Sequence, residues 1–271
     1  MPRVVAALVH ELRLFFVAWQ FLTRLPVPGW VGHEPAWLNR AVRYFPLVGM
    51  LVGAAGAVMA WCAQLVWPPA VAATLAVATT LWLTAAFHED GLADTFDALL
   101  GAAPRDKALE IMKDSRIGSY GAAVLVLGLL LRVLLLAELL ARDPLLALAA
   151  CVAAHTAGRA AAVALMALLP YAGDEAHAKA KPLARQVRRA DAAWAVGSAA
   201  ALLALAALAA LPGPAAVGTI GSTAGALLVL VVLMRHWLQR RLGGYTGDTL
   251  GTAEQLGEMA VLLAFSAVAS Q

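Results

Sequence analysis

An all-α, polytopic integral membrane protein is the fold class this sequence predicts, and three observations predict it. Of 271 residues, 62% are hydrophobic and 14% are charged, whereas a soluble domain carries about a quarter charged residues. Apolar runs recur along the whole chain, most of them near the roughly 20 residues that cross a bilayer. They are rich in Ala and Leu, which suit helices, and none shows the alternation, about ten residues long, of a membrane β-barrel strand. Length then counts spans rather than domains, and 1–271 reads as one transmembrane domain.

Residues 1–40 form an N-terminal segment. The run "VVAALVHELRLFFVAWQFL" carries His10, Glu11 and Arg13 in its middle and ends in "TRLPVP", not in a small-residue cleavage site, so it does not read as a cleaved signal. Those charges fit a helix over 4–24 lying in the membrane interface, with Phe15, Phe16, Trp19 and Phe21 pointed into lipid. Spans follow at 41–66, 69–87, 119–140, 145–169, 192–211, 215–238 and 255–270, about six to seven in all. "WPP" near 67–69, "ARDP" at 141–144 and "LPGP" at 211–214 are tight connections. The connections 88–118, 171–191 and 239–254 are longer and polar. If 4–24 does not cross, all three lie on the side of the N-terminus.

Charge then orients the chain. Arg3, Arg13, Arg24, Arg40 and Arg43 precede the first span. Arg105, Lys107, Lys113 and Arg116 lie in 88–118, and Lys179, Lys181, Arg185, Arg188 and Arg189 in 171–191. Arg235, Arg240 and Arg241 flank 239–254. Seventeen of the 20 Lys and Arg residues therefore share one face, which the positive-inside rule makes cytoplasmic. The same bias accounts for the net charge of +3 without invoking nucleic acid. Cys62 and Cys151 sit in apolar runs and read as buried free thiols, not as a disulfide framework.

The acidic residues are less evenly spread. Seven of 17 lie between 89 and 114. On a helix at 100° per residue, Asp94 falls about +40° and Asp97 about −20° from Asp90, so three carboxylates share one face, and Glu89 lies off it. Like charges one turn apart repel. A solvated helix end explains scattered acids but not acids stacked on one face among Ala and Leu. A hard divalent cation removes the repulsion by taking carboxylate oxygens.

The stretch "GGYTGDTLGTAEQLGEMA", 243–260, has the same grammar. Its glycines allow close backbone approach and an anion-binding nest around Thr246 and Gly247. Asp248 lies in the turn, and Glu254 and Glu258 share a face. A capped helix start, with Thr252 or Thr249 as cap, explains this stretch equally well. Between the two acidic stretches, "EIMKDSRIGSYG" supplies Lys113, Asp114, Ser115 and Arg116, either a phosphate grip or an ordinary basic flank. "HAKAKPLARQVRR" adds basic surface that lipid headgroups alone explain. His155 and Arg159, four apart inside a span, read as functional or paired, as does Arg132. His88 borders the acidic face, as a ligand or as an interfacial histidine.

Mg²⁺-binding carboxylates, nearby cations and Gly-rich turns at a membrane surface suit phosphoryl transfer. No Walker P-loop, dinucleotide fingerprint or zinc spacing occurs. Acids at span ends rather than midplane argue against an ion-coupled transporter.

"FHEDGLADTFDALL", "IMKDSRIGSYGA" and "GGYTGDTLGTAEQLGE", with "FLTRLPVP" and "FPLVGMLVGA" upstream, resemble the signature segments of the adenosylcobinamide-GDP ribazoletransferase (cobalamin synthase) family over nearly the whole chain. The resemblance implies a Mg²⁺-dependent membrane enzyme. It would transfer the cobinamide phosphate group of adenosylcobinamide-GDP to α-ribazole or its 5′-phosphate, release GMP, and sit in a bacterial inner membrane with its active site toward the cytoplasm. Its partners would be these substrates, the lipid bilayer and other cobalamin-assembly enzymes, not nucleic acid. Carried over residue by residue, Asp90, Asp94, Asp97, Asp248, Glu254 and Glu258 become metal ligands, with Asp94, Asp97 and Glu258 also catalytic. His88, Lys113, Asp114, Ser115, Arg116, Arg159, Thr246 and Gly247 become substrate contacts. The chain departs from the family at Glu89, where an apolar residue is usual, and at "PYAGDEA", which lacks an arginine after "YA". The acidic run also resembles the CDP-alcohol phosphotransferases, the alternative reading, but lacks their Arg and later Gly.

Overall fold

The computed structural model describes residues 2–32, 34–101, 103–173 and 186–268. Eleven α-helices occur among them: α1 (Pro2–Leu22), α2 (Leu38–Ala41), α3 (Phe45–Gln64), α4 (Pro69–Thr84), α5 (Phe87–Leu99), α6 (Arg105–Ile111), α7 (Ser119–Arg142), α8 (Pro144–Leu168), α9 (Arg189–Ala210), α10 (Gly213–Arg241) and α11 (Gly247–Val268). No strand occurs among the described residues, only an isolated bridge between Tyr171 and Tyr245. Six helices are long and apolar enough to cross a membrane, and the bent pair α4–α5 makes a seventh when counted as one span. The protein is a multi-pass membrane protein. The basic residues Lys179, Lys181 and Arg185, expected in the loop 171–191, lie outside the described residues.

Helix α8 is the central post, packed against α3, α9 and α11. Its buried face is built from Ala147, Ala150, Ala153, Ala154, Ala157, Ala160 and Ala161, small side chains that let neighbouring backbones approach closely, as helices in lipid require. Tight connections hold where Pro and Asp punctuate the runs. Asp143 Oδ1 accepts from the Leu145 amide at 2.8 Å and caps α8 one residue after α7 ends.

Three expectations change. The span expected at 69–87 stops at Thr84. Ala85 and Ala86 adopt left-handed backbone (φ 53° and 55°), and α5 leaves at 88° to α4. Left-handed alanine costs about 1–2 kcal/mol per residue, so packing must impose this break. The last span is part of a longer helix, α11, which starts at Gly247 and is not among the six. Cys151 is buried, but Cys62 is exposed.

The N-terminal helix also differs in detail. Its aromatics turn inward: Phe15 meets Tyr44, Phe21 stacks on Phe45 at 5.6 Å with planes 12° apart, and Phe16 meets Trp30. The exposed side is Val4, Val5, Leu8 and Leu12. The charges in the middle of α1 clasp the segment before α3. The Tyr44 hydroxyl donates to Glu11 at 2.6 Å, Arg43 lies 3.4 Å from Glu11, and Arg13 lies over the Trp37 ring.

Candidate active site

The site begins at the break after α4, which turns α5 so that it packs along α11 and α7. The α5–α11 contact is as close as backbones allow. A Cβ on Gly91 would lie 2.7 Å from the Asp248 carbonyl oxygen and 2.9 Å from its Cα. Thr252 Oγ1 lies 3.1 Å from the carbonyl oxygens of both Gly91 and Asp248. The two acidic stretches, which meet at Gly91 and Asp248, 157 positions apart in sequence, are therefore in direct contact. Asp90 and Asp94 flank Gly91 on α5, one residue before it and three after.

The backbone segments that carry Asp90, Asp94 and Asp248 are therefore adjacent. Asp90 is exposed, and Asp94 and Asp248 are half-buried. All three offer carboxylate oxygens, the donor set that a hard divalent cation takes. Asp97, expected as a metal ligand and catalyst, meets the start of α7. Its two oxygens accept amide N–H bonds from Gly118 at 2.7 Å and Gly121 at 2.8 Å, which satisfies orphan donors at the start of α7 and places a negative charge at that helix's positive end.

Next to this group, residues 113–116 line the surface. Arg116 grips Asp114 through Nη2 at 2.6 Å and Nε at 3.0 Å, and its amide donates to the same carboxylate. The Arg116 side-chain hydrogen bond, then its backbone amide, hold the Asp114 carboxyl down at about 2. Lys113, Ser115 and Arg116 are exposed. The expected substrate contact Thr246 is buried and engaged. Its amide donates to Thr249 Oγ1 at 2.9 Å, while its own hydroxyl oxygen accepts from the Thr249 amide at 3.3 Å. Thr246 thus caps α11 with Thr249 as its reciprocal partner, and Thr252 lies within the helix.

Deeper in the bundle is an inner group, wholly buried. Arg132 Nη1 donates to Glu89 and to Gln255 Oε1, both at 2.8 Å, and Nη2 lies 2.8 Å from Glu258. Gln255 Nε2 bridges Glu89 at 3.1 Å and Glu254 at 2.9 Å. Arg159 lies 2.6 Å from Glu254 and 3.4 Å from Glu258. His155 Nδ1 contacts Glu258, and His88 lies 3.9 Å from Glu254. Three glutamates thus meet two arginines, as charge in an apolar interior demands.

His155, Glu254 and Glu258 place ligand atoms within 4.8 Å of one another, a spacing a metal ion could share. The guanidiniums at 2.6–2.8 Å already place positive charge there, so a metal held there would compete with Arg132 and Arg159 for Glu254 and Glu258. Glu254 and Glu258, expected as metal ligands, lie in this group and also pair with arginines. Arg159, expected to touch substrate, reaches the same network.

The sequence missed Gln255 as the bridge between helices and the role of Glu89 as a counter-ion. The signal for Glu89 was present: it lies off the Asp90–Asp94 face, and Arg132 is a cation inside an apolar span. Two arginines assigned to the positive-inside bias are structural clamps. Arg105 donates to the carbonyls of Leu242 and Ala172 at 2.8 and 3.0 Å. Arg241 donates to those of Leu99 and Gly101 at 2.7 and 2.8 Å. Together they pin the polar loops to one another.

A sequence profile for cobalamin-5-phosphate synthase matches residues 14–266. The adenosylcobinamide-GDP ribazoletransferase of Leptothrix cholodnii is 52% identical over 262 residues, covering 97% of this chain and 98% of the relative. Those of Shewanella amazonensis and Ralstonia nicotianae are 42% and 43% identical over 265 residues each, covering 97% and 96% of this chain and 98% and 96% of the relatives. No solved structure matches the chain at a significant level.

Proposed function

The chain belongs to the cobalamin-5-phosphate synthase family, and from that premise we propose that it joins adenosylcobinamide-GDP to α-ribazole or its 5′-phosphate and releases GMP, with Mg²⁺ held by Asp90, Asp94 and Asp248. The observation that carries this reading is the backbone contact of Gly91 with Asp248, which gathers carboxylates from two distant stretches at one end of an apolar bundle. When bound there, Mg²⁺ would offset the charge of the diphosphate and of the departing GMP.

The protein's own residues do the rest. Asp94 accepts the proton from the ribazole hydroxyl as its oxygen attacks the phosphorus on the cobinamide side. The bond from that phosphorus to the GMP oxygen breaks, and GMP leaves with the electron pair. Lys113 and Ser115 contact the diphosphate from the exposed segment 113–116, and Asp114 holds the Arg116 guanidinium in place beside it. Asp97 fixes α7, and the inner ion-pair network fixes α5 and α11 against α7 and α8, so the outer carboxylates are held at a set distance. The site faces the cytoplasm in a bacterial inner membrane, a reading supported by the basic residues on its side of the chain.

Membranes containing the protein, given Mg²⁺, adenosylcobinamide-GDP and α-ribazole, should form a cobamide and release equimolar GMP. Formation of neither product overturns the assignment. For orientation, Arg142→Cys should react with an impermeant thiol reagent from the periplasm and Asp106→Cys only after the membrane is opened. The reverse pattern overturns it.

A further inference from the structure

The main chains of α5 and α11 touch beside the carboxylates assigned to the metal. A Cβ on Gly91 would meet the Asp248 backbone, and one on Gly251 would lie 3.0 Å from the His88 carbonyl oxygen and 3.2 Å from the His88 Cα. Contact of this kind brings carbonyl dipoles toward one another. In a low-dielectric interior they repel unless a hydrogen-bond donor lies between them.

Thr252 supplies that donor. It is completely buried, one turn after Asp248. Its Oγ1 lies 3.1 Å from the Asp248 carbonyl oxygen and 3.1 Å from that of Gly91. A threonine inside a helix commonly turns its hydroxyl to the carbonyl four residues back. Here the same hydroxyl also reaches a second helix. It has one hydrogen, so the two acceptors share it across the seam. Both acceptors belong to the stretches that carry the proposed ligands. Gly91 sits between Asp90 and Asp94, and the other carbonyl is that of Asp248 itself. The link from Gln255 to Glu89 at 3.1 Å also joins these helices, but it runs side chain to side chain within the inner network.

The separation of the two stretches matters to an ion between them. Mg²⁺ holds oxygens at about 2.0–2.1 Å in near-octahedral order, whereas Ca²⁺ accepts about 2.3–2.6 Å in looser arrangements. Resting on the proposed function, we infer that Thr252 is a positioning residue for the reaction. Its hydroxyl sets the separation of Asp90 and Asp94 from Asp248, and with it the preference of the site for Mg²⁺ over larger divalent ions. Thr252 touches neither ion nor substrate; it acts through the backbone of the residues that do.

The test measures Mn²⁺ binding to the full chain in detergent by electron paramagnetic resonance, without substrate, with Mg²⁺ or Ca²⁺ as competitor. The Mg²⁺ requirement for GMP release is measured alongside. Thr252→Val keeps the shape of the side chain and removes the hydrogen. It should weaken Mg²⁺ competition roughly tenfold, about 1.4 kcal/mol and the scale of an interhelical hydrogen bond. Ca²⁺ competition should weaken by less than about threefold, and the Mg²⁺ concentration for half-maximal GMP release should rise with the Mg²⁺ loss. Thr252→Ala, which cannot crowd the seam, should lose as much as Thr252→Val. Thr252→Ser, which keeps the donor, should stay within about twofold of the unaltered protein. Unchanged Mg²⁺ competition in the Val and Ala variants, an equal loss for both ions, or a Ser variant as weak as the Val variant overturns the inference. Absence of Mn²⁺ binding to the unaltered protein, or binding undiminished by Asp248→Asn, would instead overturn the metal site on which it rests.

Discussion

The aspartates at the mouth of the bundle and the glutamates in its interior look alike in sequence, and they differ in burial. Glu89, Glu254 and Glu258 are buried and held by Arg132 and Arg159 at 2.6–2.8 Å. Asp90, Asp94 and Asp248 stand at a partly open surface. A buried carboxylate must bring its counter-ion within the fold, because no solvent ion can reach it. An open one can recruit a cation with its substrate. The inner group is therefore suited to holding helices in register, and the outer group to chemistry.

The strongest way to break this division is Asp94→Asn. We expect turnover to fall about 10²–10⁴-fold while the protein still inserts and its thermal unfolding in detergent is little changed. Near-normal activity would remove the outer group from the reaction. Arg132→Met attacks the other side. It strands Glu89 and Glu258 without a counter-ion and should cost roughly 3–5 kcal/mol of stability, read as a lowered unfolding midpoint. Adding Glu89→Gln should recover part of the loss, since the two groups share one contact. Undiminished stability with lost activity would move the inner group into the catalytic machinery.

Asp97→Ala is the intermediate case. It removes the cap from α7, and the expected loss is about 1 kcal/mol of stability with a partial fall in activity. Complete loss of turnover with unchanged stability would return Asp97 to the reaction itself. The smallest effect is expected at Asp114. Its carboxyl is held at about 2 by Arg116, below the ordinary carboxylate value. A depressed group contributes its stabilisation above that ordinary value and loses it only as pH falls toward 2. Asp114→Asn should therefore leave the shape of the pH–rate profile unchanged between about pH 5 and 9. A shifted acid limb in that variant would show that Asp114 titrates in the working range.

Much of this was legible in the residues. The Ala- and Leu-rich runs, the punctuation at 143 and 212, and the grammar shared by the two acidic stretches all follow from local rules that act over a few residues. The segregation of Asp90 and Asp94 from Glu89 followed from helical periodicity alone. What could not be read is who meets whom across helices. Asp97 shares a face with Asp90 and Asp94, yet Gly118 and Gly121, 21 and 24 residues later, draw its oxygens to α7. Thr249 and Thr252 are equivalent caps by sequence, and only the fold brings in Thr246, with Thr249 as its reciprocal partner. The break at Ala85–Ala86 had no local signal, because neither residue is the glycine that left-handed backbone favours.

That break also sets a length. Helix α4 has 16 residues and rises about 24 Å, short of the roughly 30 Å of hydrocarbon in a bilayer. On that geometry the floor of the site, built on α5, would lie below the plane of the headgroups. Hydrophobic mismatch then becomes a control on the enzyme. Reconstituted into lipids of shorter acyl chain, the protein should turn over faster than in lipids of longer chain at equal substrate, since thick membranes would submerge the carboxylates that its water-soluble substrates must reach.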